Sequence, residues 1–308
     1  MESSRLPRFK RASDVPPVEL TERDHEIIRL VHRHRFLRSP QIVALLGVGP
    51  QPVLRRLQLL FHQGYLERPR AQLDYYHQGG SHHIVYGLGS NGAALLRREG
   101  GPASRGVRWG EKNRSVGRIF LEHALFVSDV MVALELACRA DGRIRLMTEE
   151  ELVSHGSKGP EHHSYSWKVN IGNQTQLGVI PDRVFALEYP GGNSSPNRHY
   201  FFLEADRGTM PVTRRNLSQT SFLRKLLAYE ATWAQSIHRT RFGFHRFRVL
   251  TVTTGTERVT SLVDACSELK RGHGLFLFAD RTVLEKPSEI LSRTWQTGRQ
   301  GETARLLD

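Results

Sequence analysis

Val179-Ile180-Pro181-Asp182-Arg183-Val184-Phe185-Ala186-Leu187 and Tyr200-Phe201-Phe202-Leu203-Glu204-Ala205-Asp206 are the two stretches that decide the fold. Both are dense in β-branched and aromatic residues. Between them lies Pro190-Gly191-Gly192-Asn193-Ser194-Ser195, a polar turn sequence. The pattern predicts a hairpin whose first strand opens with an acid and whose second carries two more. An amphipathic helix is expected after it, over about 213–236. Its apolar side holds Leu217, Phe222, Leu226, Leu227 and Trp233, and Lys225 and Tyr229 lie one turn apart on it. Strand 247–252, helix 257–269 and strand 275–278 complete an α/β unit. The polar stretch from Glu285 is expected to be a loosely ordered tail.

Upstream of the hairpin, residues 154–176 carry no clear pattern, and Glu149-Glu150-Glu151 is a short acidic stretch after a strand at 144–147. A long helix is expected over about 117–139. It is apolar on more than one side through residues such as Leu121, Leu125, Val130 and Leu134, and so is expected in the core. Glu122, His123 and Asp129 are its polar exceptions.

The first hundred residues read differently. A basic, Pro-containing arm is expected over 1–19. Thr21-Glu22-Arg23-Asp24 has the form of a capping box, and Ile27, Ile28, Leu30 and Val31 follow on one helical face, with Phe36 and Leu37 closing the stretch. Ser39-Pro40 starts a second helix that Gly47 stops. A third helix follows Gly49-Pro50. Its apolar face is Val53, Leu54, Leu57, Leu60 and Phe61, and Gln51, Arg55, Arg56 and Gln58 lie on its other faces. Strands at 65–68 and 84–88 enclose a long polar tip rich in His, Gly and Gln, and a helix begins at Ser90-Asn91-Gly92. Three helices, a hairpin and a closing helix make a winged helix-turn-helix. Its third helix is expected in the DNA major groove, with Gln51, Arg55, Arg56 and Gln58 on phosphates or base edges. Arg68, Arg70 and the wing histidines are expected on backbone or minor groove.

Charge agrees with a polyanionic partner. The 308 residues hold 44 Lys plus Arg against 31 Asp plus Glu, a formal +13. Residues 1–115 hold 19 basic and 10 acidic residues, and residues 116–308 hold 25 and 21, so the excess sits mainly on the first part. Cys138 and Cys266 lie in apolar contexts and read as buried thiols in a reducing compartment. No Cys/His spacing suits zinc, and the pairs His82-His83 and His162-His163 read as surface polarity. No stretch approaches the ~20 apolar residues of a membrane span. The start, MESSRLPRFKR, lacks a signal-peptide core, so a cytoplasmic home without membrane association is expected.

The chain resembles the replication-relaxation family of bacterial plasmids and mobile elements over about residues 20–280. The resemblance rests on Leu20-Thr21-Glu22-Arg23-Asp24, Arg55-Arg56-Leu57, Gly64-Tyr65-Leu66-Glu67 and Tyr86-Gly87-Leu88-Gly89-Ser90-Asn91-Gly92 in the first half. In the second half it rests on Glu204-Ala205-Asp206-Arg207-Gly208-Thr209 and the Lys225–Tyr229 helix. Pro-Asp, a hairpin, then Glu-x-Asp also resembles the PD-(D/E)XK nuclease fold. That resemblance implies two acids on adjacent strands, Asp182 and Glu204, converging on a hard divalent cation, Mg²⁺ or Mn²⁺. The Ala205 carbonyl would be a further ligand, and Glu122 an extra acid. The lysine normally two residues past the second acid is here Asp206. Either Lys225 delivers the ammonium from the helix, or Asp206 is a third metal ligand. The same residues also suit an acid–arginine network closing a strand end, with Arg207 paired to Asp182 or Glu204.

The expected class is therefore α/β (α+β): a winged helix-turn-helix at 20–98, a linker at 99–116, a restriction-endonuclease-like domain at 117–284 and a tail at 285–308. The expected function is a DNA-binding protein of plasmid or mobile-element replication or mobilisation with a nuclease-like second domain. The alternatives are an active metal-dependent DNA endonuclease and a winged-helix transcription regulator. Expected partners are double-stranded DNA, a second copy of the chain and other replication or mobilisation proteins.

Overall fold

The structure is a computed structural model that describes residues 7–12, 15, 17–73, 83–100, 108–156, 165–172, 175–190, 197–216 and 218–308. The expected turn at Gly191–Ser195, the wing tip with His82, the pair His162-His163 and Leu217 lie outside the described residues. The chain mixes helices and sheets in two compact units, Met1–Val132 and Ala133–Asp308.

In the first unit, α1 spans Glu22–His34, and its capping box is formed: the Asp24 carboxylate accepts from the Thr21 amide and hydroxyl, both at 2.7 Å. Arg35, with φ 71°, ends the helix. Phe36 and Leu37, expected at the end of that helix, instead form β1 (Phe36–Arg38). The left-handed turn at Arg35 moves the chain out of the helical path before they are reached. Helix α2 (Ser39–Leu46) carries Pro40 in its first turn and ends at Gly47 in the left-handed region. Helix α3 (Pro50–His62) buries Val53, Leu57, Leu60 and Phe61. Strands β2 (Leu66–Glu67) and β3 (Val85–Leu88) join β1 in an antiparallel sheet of order β1-β3-β2. Helix α4 (Ser90–Arg98) follows, and Gly89 is obligatory just before it, because a Cβ there would lie 2.2 Å from the Gly64 carbonyl oxygen. Part of the arm expected to be loose is docked: Arg11 donates to the carbonyls of Phe61 and Leu66 and to the Glu67 carboxylate at 3.0, 3.2 and 2.9 Å. Helix α5 spans Trp109–Arg114 and helix α6 Arg118–Asp141, the latter close to the expected 117–139.

The second unit is built on a seven-stranded sheet. Its strands are β4 (Arg145–Met147), β7 (Arg183–Tyr189), β8 (Asn197–Ala205), β9 (Arg248–Thr253), β10 (Phe276–Asp280), β11 (Trp295–Thr297) and β12 (Thr303–Ala304). Their order is β12-β11-β10-β9-β8-β7-β4. The hairpin β7–β8 is antiparallel, whereas β8–β9 and β9–β10 are parallel and need crossovers. Helices α8 (Phe222–Ala234) and α10 (Thr256–Ala265) supply them, with a short α9 (Ile237–Thr240) after α8. The acidic stretch is helix α7 (Glu149–Gly156), and the featureless region holds a separate hairpin, β5 (Trp167–Ile171) with β6 (Thr175–Val179). Trp167 packs 5.0 Å from Phe202 of β8, and its indole donates to Thr232 of α8 at 2.8 Å.

Three boundaries moved for physical reasons. The first strand of the central hairpin begins at Arg183 rather than Val179, since Pro181 has no amide for the ladder. Helix α8 starts nine residues later than expected. The carbonyls of Pro211 and Val212 take its first amides, Phe222 and Leu223, at 2.9 and 2.8 Å, and the described residues between them are not helical. The stretch expected as a tail closes the sheet edge with β11 and β12, burying Trp295 at 1% and Leu306 at 0% exposure. Trp295→Ala should therefore cost about 3–5 kcal/mol, as for other large-to-small core changes, measured by urea unfolding of the full chain. A cost within about 0.5 kcal/mol would mean that the chain end is dispensable.

Candidate functional site

The Asp182, Glu204 and Lys225 group is assembled by the hairpin and by α8. Asp182, one residue before β7, brackets Glu204. Its amide donates to the Leu203 carbonyl at 2.9 Å, and its carboxylate accepts from the Ala205 amide at 2.7 Å. Glu204 lies near the end of β8 and is 1% exposed. From α8, Lys225 places its ammonium 2.5 Å from Glu204 Oε2, and Tyr229, four residues on and on the same helical face, donates its hydroxyl to Oε1 at 2.6 Å. The spacing of Lys225 and Tyr229 seen in the sequence thus converges on one carboxylate.

Burial above all, with the charge of Asp182, raises the Glu204 pKa; Lys225 and Tyr229 offset this only in part. Burial works against the Lys225 ammonium, but Glu204 and Asp182 outweigh it and its pKa is raised. Burial, then the Glu204 charge, holds the Tyr229 phenol well above its usual value. Lys225 is therefore a cation at neutral pH and Tyr229 a neutral donor. The site is one hydrogen-bonded group of two acids, a cation and a phenol.

Asp206 departs from this group. Its Oδ2 accepts from Thr253 Oγ1 at 2.7 Å and from Arg258 Nε at 2.8 Å, and its Oδ1 from Arg258 Nη2 at 3.3 Å and the Gly208 amide at 3.2 Å. Gly208 stands at φ 71°, a conformation that favours glycine. Asp206 thus clasps the ends of β8 and β9 to α10. An acid–arginine pair does close this strand end, but it joins Asp206 to Arg258, which sequence reading overlooked, and is not the expected pairing of Arg207 with Asp182 or Glu204. Among the described residues no group of three or more His, Cys, Asp or Glu is arranged to hold a metal. The expected three-acid ligand set is therefore not preformed, because Asp206 is committed elsewhere. Glu122, the extra acid, pairs with Arg118 at 2.7 Å.

In the first unit, the six residues expected on DNA fall into two groups. Gln51, Arg55 and Arg70 are exposed and Gln58 is half-buried. Gln51, Arg55 and Gln58, four and three residues apart, share a face of α3. Arg56 and Arg68 are structural instead. Arg56 grips the fully buried Asp24 of the capping box through two nitrogens, one at 2.8 Å, and donates to the Glu19 carbonyl at 3.1 Å. Arg68 is buried, with its guanidinium 4.1 Å from the Phe61 ring centroid and a 3.1 Å bond to the Tyr86 hydroxyl. A helical wheel gives Arg55 and Arg56 equal standing; what separates them is Asp24, thirty-two residues earlier. Cys138 and Cys266 are buried free thiols, and burial pushes each up to about 12.

A protein-family model described as Replication-relaxation matches residues 28–246. No curated protein and no solved structure matches the chain. Among the described residues no helix is long and apolar enough to cross a membrane.

The two arginines of α3 should separate cleanly on mutation. Arg55→Ala should change stability by no more than ~0.5 kcal/mol. Arg56→Ala should cost about 2–3 kcal/mol, less than the ~3–5 of a fully orphaned buried charge because Thr21 still serves Asp24. Burial raises the Asp24 pKa, but Arg56 and Thr21 more than offset this and hold it below the usual value. Its stabilisation is therefore complete above the unfolded-state value near ~3.9 and fades as pH falls below it. Denaturant titrations at pH 7 and pH 3 should show this loss in the wild type and a smaller one in Asp24→Asn.

Proposed function

The chain belongs to the replication-relaxation family and its role is replication-related; from that premise we propose that it binds double-stranded DNA through the exposed face of α3 and carries a metal-dependent nuclease-like site at Asp182, Glu204 and Lys225. The first part of the reading is supported by the order of elements, helix, strand, helix, helix, then two further strands of one antiparallel sheet, which suits a winged helix presenting α3. Gln51, Arg55 and Gln58 are the residues placed to meet bases and phosphates, with Arg70 on the wing side.

The second part is carried by one observation: Asp182 brackets a buried Glu204 at the end of a central strand, and a helical ammonium has been drawn to the pair. The Lys225 ammonium marks a place where positive charge is held against two carboxylates. That donor set, with the Ala205 carbonyl, fits a hard cation such as Mg²⁺ or Mn²⁺. Such an ion would polarise the scissile phosphate and lower the pKa of an attacking water. Tyr229 holds the Glu204 carboxylate in one orientation. Lys225, about a third exposed, is the cation available to a phosphate oxygen as charge develops there. In this reading Lys225 takes the place of the strand lysine, and Asp206 is a clasp rather than a ligand.

A second reading, a DNA binder whose nuclease-like domain is inactive, is favoured by the engagement of both Glu204 oxygens, one by Lys225 and one by Tyr229. Supercoiled plasmid incubated with Mg²⁺ or Mn²⁺, against an EDTA control, separates the two. In the active reading Glu204→Gln and Asp182→Asn abolish cleavage and Lys225→Met slows it ~10²- to 10³-fold, while Asp206→Asn keeps its rate per folded molecule. If the wild type leaves plasmid intact with either metal, the catalytic reading is wrong. Arg55→Ala with Gln51→Ala should then still weaken duplex binding and flatten its salt dependence.

A further inference from the structure

At the other end of the central strands from Glu204 lies a groove of about 740 Å³, within the ~300–1,000 Å³ of pockets that hold small organic ligands. Its walls come from the last residue of β7, the first residues of β8 and β9, the loop before β9 and the C-terminal end of α8. Four residues separate Tyr200 in the groove from Glu204, or about 13 Å of strand.

The groove combines cations with aromatic faces. Arg198, Arg246 and Arg248 line it, with Trp233, Tyr189 and Tyr200. Glu188 engages Arg198 at 2.6 Å, and Arg248 is held by the backbone carbonyls of Arg305 and Asp308 at 2.7 and 2.9 Å. Arg246 is exposed and makes no ion pair among the described residues. Trp233 is 40% exposed, a large apolar face left in water at the groove's edge. The electrostatics point the same way. Burial and then the charges of Arg248, Arg246 and His245 lower the pKa of His199, and burial together with Arg246 lowers that of Arg248 against the pull of Asp308. Asp308 also lines the groove and draws on Arg248, and Glu188 holds Arg198, which leaves Arg246 as the groove arginine without an acid partner among the described residues.

We propose that this groove is a second nucleic-acid site, taking a single strand whose phosphates meet Arg246 and Arg248 and whose bases stack on Trp233. Arginines with interleaved aromatics are the chemistry of single-strand recognition. A duplex keeps its bases stacked inside, where Trp233 has no base face to meet, so the single strand is the form the groove fits. The site is separate from α3 and from the Asp182–Glu204 group and stands without either of them.

The test is fluorescence anisotropy of a short labelled oligothymidine with the full chain, at several salt concentrations, with heparin as a competing polyanion that has no bases. Trp233→Ala should weaken oligothymidine binding about fivefold or more and leave heparin binding unchanged. Arg246→Ala should weaken both and reduce the salt slope by about 0.7. Both side chains are exposed, so circular dichroism and unfolding curves should match the wild type. Arg55→Ala should weaken duplex binding only, and Glu204→Gln should leave oligothymidine binding intact even if it abolishes cleavage, or if cleavage is never seen. Unchanged oligothymidine affinity in both groove variants overturns the proposal. So does a Trp233→Ala variant that keeps wild-type affinity while Arg246→Ala loses oligothymidine and heparin equally, since the groove would then be an unspecific cationic surface.

Discussion

A carboxylate taken out of water must be given partners, and Glu204 has been given two, the Lys225 ammonium and the Tyr229 hydroxyl, both from α8. An isolated buried carboxylate costs several kcal/mol, so the second unit is committed to holding α8 where Lys225 and Tyr229 reach β8. That commitment organises much else. The carbonyls of Pro211 and Val212 meet the first amides of α8. The hairpin β5–β6 presses Trp167 between Phe202 of β8 and Tyr229 of α8. Thr232, one turn past Ala228, ties that tryptophan to the helix. The helix is thus fixed along its length by apolar packing, and the ammonium and phenol inherit their positions from it.

The two acids two residues apart, Glu204 and Asp206, show how neighbouring side chains of one type receive different roles. Glu204 is inside the ladder, opposite Thr251 of β9, with the bracketing Asp182 on one side and Lys225 and Tyr229 of the helix above. Asp206 is past the last ladder residue and meets Thr253 and Arg258 at the head of α10. A bidentate guanidinium fixes a carboxylate more firmly than a lysine does. The firm pair closes the sheet end, and the softer pair, with a flexible stem about one-third exposed, is the one left able to rearrange.

Much of this was legible in the sequence, and what was not shares one physical cause. The dense β-branched and aromatic runs on either side of a polar turn sequence gave the hairpin of Asp182 and Glu204, and the four-residue interval gave the Lys225–Tyr229 pair, because both patterns are local. The capping box at Thr21–Asp24 was readable for the same reason. The buried fates of Arg56 and Arg68 were not: they depend on Asp24 and on Phe61 and Tyr86, which only the folded chain brings to them. Strands β11 and β12 escaped notice because each is short, and they are held by pairing, β11 to β10 and β12 to β11, rather than by their own pattern. The groove at the opposite sheet end was invisible in the same way, since its arginines and tryptophan come from three separate segments.

A sheet with a parallel step at its centre has two chemically different ends. At the end where β8 stops, the described side chains set Asp182, Glu204 and Asp206 against Lys225 and Arg258. At the end where β8 and β9 start, they gather arginines and aromatics. A phosphodiester chain is attracted to the second and, without a cation, repelled by the carboxylates of the first. The net +4 of residues 116–308 conceals this division. In the proposed reading a nucleic-acid strand at the basic end would lie about 13 Å of β-strand from the acids, and a divalent cation or the Lys225 ammonium would be the charge that lets a phosphate approach them. The polarity of the sheet, rather than the total charge of the unit, therefore decides where a polyanion can rest and where it can only be met with help.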